Sequence, residues 1–102
     1  MTTRHFNNLT PAEAERLALL AEECGELVQA VTKILRHGYE SHHPVSHANN
    51  RETLHREMGD VRAAMLILCE AGDTEKKIIH EYADAKLKKV GKFLHHQPKD
   101  FL

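Results

Sequence analysis

The chain has 102 residues, with 14 Lys+Arg against 15 Asp+Glu and a formal net charge of −1. That balance supplies no overall field for gripping a nucleic-acid backbone or an anionic membrane surface, so neither is an expected partner. Charges interrupt every apolar run well before the roughly 20 residues a membrane span needs, and Met1 to Asn8 lack the apolar stretch of a secretory signal, so a cytoplasmic protein is expected.

No proline- or glycine-rich seam divides the chain, and residues 1–102 read as one domain. The first element is announced by Thr10-Pro11-Ala12-Glu13: a capping hydroxyl, a proline at the first helical position and a glutamate at the third. From there Leu17, Leu20, Cys24, Leu27, Val31, Ile34 and Leu35 recur at mostly three- and four-residue spacing, which predicts an amphipathic helix that stops at Gly38. Residues 39–50 have no apolar period and carry Pro44, serines and asparagines, the composition of a connecting loop that is long for joining two helices. A second helix is predicted from about Arg51 to Ala71 on Leu54, Met58, Val61, Met65 and Leu68, closed by Gly72.

Asp73 or Thr74 is expected to cap a third helix, which carries Ile78, Ile79, Tyr82, Leu87, Val90 and Phe93 on one side and lysines on the other, and runs to about His95. The tail, Gln97 to Leu102, reads as irregular. The fold class is therefore all-α, a small helical bundle. Three helices cannot cover all these apolar faces among themselves, so completion by self-association, as a homodimer or homotetramer, is expected. Cys24 and Cys69 sit within helical apolar patterns and are expected to be reduced, buried thiols.

The chemistry concentrates in acids. Glu22, Glu23 and Glu26 crowd one turn of the first helix, and Glu57 and Asp60 stand three apart on the second. An antiparallel hairpin of the two helices would bring both groups together. Such a cluster repels itself unless cations neutralise it, and a set made only of carboxylate oxygens suits Mg²⁺ or Mn²⁺ rather than zinc. Both groups border the apolar seam, where an acid needs a partner. Gly25 and Gly59 fall inside the acidic turns despite the helical cost of glycine, which suggests close helix approach or ligand access. His37, His42, His43 and His47 gather around the loop, but neither cysteine has a close-spaced partner, so a structural zinc site is not expected.

The run Leu20-Ala21-Glu22-Glu23-Cys24-Gly25-Glu26-Leu27, followed after a spacer by Glu57-Met58-Gly59-Asp60-Val61, resembles the MazG-like all-α nucleotide pyrophosphohydrolases over roughly Leu17 to Val90. The resemblance implies hydrolysis of a nucleoside triphosphate between its α and β phosphates. Glu23, Glu26, Glu57 and Asp60 match the family's metal ligands, and Glu22 the acid for a further metal or for orienting water. It also makes Lys86 and Lys89 candidates for phosphate contacts, and puts His37 and Tyr39 at the substrate end, where Tyr39 would stack on a base. Two positions depart from the pattern: Arg56 stands where many relatives have an acid, and Asp84 where many have an asparagine. The competing reading is a helical module that dimerises or docks a partner without catalysis.

Overall fold

A computed structural model of the chain describes residues 6–98. It contains three helices, α1 (Pro11–His37), α2 (Asn50–Glu70) and α3 (Lys76–Val90), followed by a single 3₁₀ turn (Gly91–Phe93). No strand occurs among the described residues; the loop before α2 has one isolated antiparallel bridge between His42 and Asn49. The expected irregularity of residues 99–102 lies outside the described residues.

The ends of α1 follow the local signals. The Thr10 hydroxyl accepts the Glu13 amide at 3.1 Å while the Thr10 amide donates to the Glu13 carboxylate at 2.7 Å, so two orphan donors are satisfied reciprocally. At the other end Gly38 takes φ 85°, a conformation that costs residues with a Cβ, and its amide donates to the Ile34 carbonyl. Asn49 caps α2 by accepting the Glu52 amide at 2.8 Å. Helix α2 ends in a Schellman arrangement: Gly72, at φ 85°, donates to Cys69 and Asp73 donates to Leu68.

The start of α3 departs from expectation. Glu75, without a side-chain cap bond, occupies the N-cap position that Asp73 or Thr74 was expected to fill. Both side chains are engaged elsewhere. Asp73 grips Arg16 of α1 through two hydrogen bonds, Nε to Oδ2 at 2.6 Å and Nη2 to Oδ1 at 3.1 Å, and Thr74 Oγ1 lies 3.3 Å from Cys69 Sγ. The Arg16 guanidinium holds the Asp73 carboxyl below its usual range, so the pair favours the folded state above the ordinary Asp pKa and loses that contribution as pH falls through the lowered value. The helix also ends earlier than expected, at Val90, where Gly91 begins the tighter turn.

Helices α1 and α2 form an antiparallel hairpin, and the buried side chains among the described residues are Ala30, Ala64 and Leu68. Two of the three are methyl-sized, which lets the helix backbones approach. Helix α3 diverges from α2, leaving an apolar-lined groove of about 330 Å³ between Met65, Leu66 and Cys69 on one side and Ile79 and Ala83 on the other. The radius of gyration is 17.5 Å, against about 13 Å for a compact domain of this length. The predicted apolar stripes are present, yet much of each lies open: Leu35 is 80% exposed and Tyr82 75%. Cys24 is exposed as well, contrary to the expected burial, and Cys69 is half-buried; both are free thiols. Nothing within 4 Å would meet a Cβ at Gly25 or Gly59, so close approach of α1 and α2 does not account for either glycine.

Candidate metal centre

The hairpin places the acidic turn of α1 against that of α2. One carboxylate oxygen from each of Glu23, Glu26, Glu57 and Asp60 lies within 4.8 Å of the other three. Glu23 and Glu57 are half-buried and Glu26 and Asp60 exposed, so the group has a covered inner side and an open outer one. The Oε2 atoms of Glu23 and Glu57 have no accessible surface and no hydrogen-bond partner. An oxygen removed from water with nothing donating to it is costly, and an anionic one more so.

The titration behaviour follows from this geometry. Burial, then the charges of Glu26, Asp60, Glu22 and Glu57, pushes the Glu23 carboxyl above its usual range. Glu57 is raised by burial first, then by Glu26 and Asp60 and by a hydrogen bond shared with Glu26, while Arg56 opposes the rise. A carboxyl raised in the folded state binds its proton more tightly there. On its own carboxylates alone, the cluster therefore loses stability as pH rises from the ordinary value of 4.5 through the raised ones. A hard divalent cation fits this donor set: all four ligands are oxygens, two are orphaned, and the site is open on one side to a substrate. Mg²⁺ is expected to raise the melting temperature of the wild type at neutral pH, and to raise it less in Glu57→Gln. Equal shifts would show that Glu57 binds no metal.

The other predicted residues are placed variously. Glu22 stays outside the four-acid group and lines a groove with Glu15 and Arg16 of α1 and Ile67 of α2. Lys86 and Lys89 are exposed on α3, and no hydrogen bond or ion pair joins either to the acids among the described residues. Asp84 is exposed on the same helix and pairs with His80 at 3.5 Å. His37 lines a cleft formed by the end of α1, the loop and the start of α2. Tyr39 is outside that cleft, with the Arg51 guanidinium 4.3 Å over its ring.

Hydrogen bonds tie that loop together. His43 Nδ1 accepts the amides of Val45 and Ser46, the His43 amide donates to the Ala48 carbonyl, and Glu40 binds both Arg51 and Asn49. Lys33 and Arg36 also line the cleft, although neither is among the expected site residues. Lys33 and His37 stand seven and eleven residues after Glu26, on the same face of α1, but that register alone does not mark a cleft.

The family model of the MazG nucleotide pyrophosphohydrolase domain matches residues 12–99. The chain belongs to that family. The MazG match covers α1, the loop, α2 and α3, and so takes in both acidic turns and the cleft beside them. No curated protein and no solved structure matches the chain.

Proposed function

We propose that this MazG protein hydrolyses nucleoside or deoxynucleoside triphosphates with Mg²⁺, releasing the monophosphate and pyrophosphate, as a cytoplasmic enzyme that cleanses or adjusts the nucleotide pool. The observation that carries the reading is the convergence of four carboxylates with two buried, unpartnered oxygens. A structural role would leave such a cluster as uncompensated repulsion. A metal role turns the same repulsion into affinity.

Glu23 and Glu57 hold the inner side of the site and Glu26 and Asp60 its open rim. Bound Mg²⁺ supplies charge neutralisation to the triphosphate and acidifies water. Glu22, one turn before Glu26 and outside the ligand group, is the candidate for holding a further metal or for orienting the attacking water. Water adds to phosphorus, the α–β anhydride oxygen leaves with the pyrophosphate, and one water is consumed per triphosphate. Mn²⁺, equally an oxygen-seeking cation, is expected to substitute. Lys86 and Lys89 remain candidates for phosphate contacts.

The test is release of pyrophosphate from each canonical dNTP and NTP with Mg²⁺ or Mn²⁺. Metal-dependent release from any of them supports the reading. None from all of them, by a protein that binds Mg²⁺, leaves the non-catalytic helical module. We further propose a homodimer or homotetramer, since Val28, Val31, Met58, Met65, Ile78 and Leu87 all stand exposed in one chain. Leu68, a stripe residue of α2, is buried within the chain and so does not belong to that seam. Light scattering at micromolar concentration is expected to give a multiple of 11.6 kDa; an active monomer would refute self-association.

A further inference from the structure

The cleft at the loop end of the hairpin is about 290 Å³ and is lined by Lys33, Arg36 and His37 of α1, by His42 and His43 of the loop, and by Asn50 and Thr53 of α2, among others. Its cations are uncommitted. Arg16, Arg51 and Lys76 each have a carboxylate within 4.0 Å, whereas neither Lys33 nor Arg36 has one among the described residues. Glu40, the acid of the loop, is absent from the lining and is held by Arg51.

By helix register the cleft lies beyond the acidic cluster along the hairpin. Lys33 lies two turns, about 10 Å, beyond Glu26 on the same face of α1, and Thr53 and Asn50 lie one and two turns before Glu57 on the same face of α2. A ligand lying along the hairpin axis therefore meets four acids and then two cations. The chemistry that matches this sequence of charges is a chain of phosphates: one part bridged to the acids through a cation, the next an oxyanion facing Lys33 and Arg36. A stacked base fits less well, since no Phe or Tyr ring lines the cleft, its histidines offer only small imidazole rings, and Arg51 covers Tyr39. The His43 ring adds a donor, because Nδ1 accepts two backbone amides and Nε2 consequently carries the proton.

We infer that this cleft seats the phosphate tail of the substrate beyond the scissile bond, with Lys33 and Arg36 as the residues that make the enzyme prefer triphosphates to diphosphates. The inference rests on the hydrolase reading for its substrate, and on the cleft alone for its binding chemistry. The first measurement is calorimetric titration of the metal-free protein with inorganic tripolyphosphate in a chelating buffer. Saturable binding is expected, weakened at least about tenfold in Lys33→Ala/Arg36→Ala and unchanged in Lys77→Ala on α3. The second compares turnover of a deoxynucleoside triphosphate and its diphosphate: the double variant is expected to raise KM for the triphosphate at least about tenfold with kcat little changed, and to leave the diphosphate unaffected.

Absence of tripolyphosphate binding by a protein that hydrolyses triphosphates overturns the cleft assignment alone. So does equal loss of triphosphate and diphosphate turnover in the double variant. Tripolyphosphate binding that depends on Lys33 and Arg36, in a protein that hydrolyses nothing, supports the anion cleft and overturns the hydrolase reading.

Discussion

Asp60→Asn and Glu26→Gln are each expected to lower turnover by at least about 100-fold, because each removes an anionic ligand of the cation that would neutralise the triphosphate as its bond breaks. Both residues occupy the open side of the cluster, so neither change opens a cavity. The variants should keep the helical circular dichroism of the wild type. The metal-free proteins should be no less stable, since one member of a mutually repelling set has been neutralised. Turnover within a few-fold of wild type in either variant would remove that residue from the site.

The second large effect is structural. Leu68 is the one large side chain among the three buried in the described part of the chain, and Leu68→Ala is expected to cost roughly 3 kcal/mol, as truncation of a packed leucine does. Urea denaturation at fixed protein concentration measures it. Against a total stability of about 5–15 kcal/mol for an ordinary domain, that is a large share. A loss below about 1 kcal/mol would mean that the α1–α2 seam is not what holds the hairpin closed.

What could be read before folding was whatever is decided within a few residues. The box at Thr10 and Glu13 and the left-handed glycines at Gly38 and Gly72 are local devices, and their expected positions agree with the structure. The acidic cluster was legible too, since three- and four-residue spacing fixes which acids share a helix face and a hairpin needs no further information to juxtapose them. The cap of α3 was not. Asp73 suits an N-cap by local preference, but an arginine 57 residues away claims it. Cys24 was misplaced for a related reason: periodicity identifies an apolar face without saying whether the same chain covers it. Lys33 and Arg36 look like ordinary surface cations until the 39–50 loop folds back beside them, which no residue pattern within α1 specifies.

The small interior has a consequence for handling the protein. Where the faces left open by Leu35, Tyr82 and their neighbours are closed by copies of the chain, folding and association become one equilibrium, and stability then carries a logarithm of protomer concentration. Specific activity should fall on dilution, the melting temperature should climb with concentration, and rates measured at nanomolar and micromolar enzyme need not describe the same species.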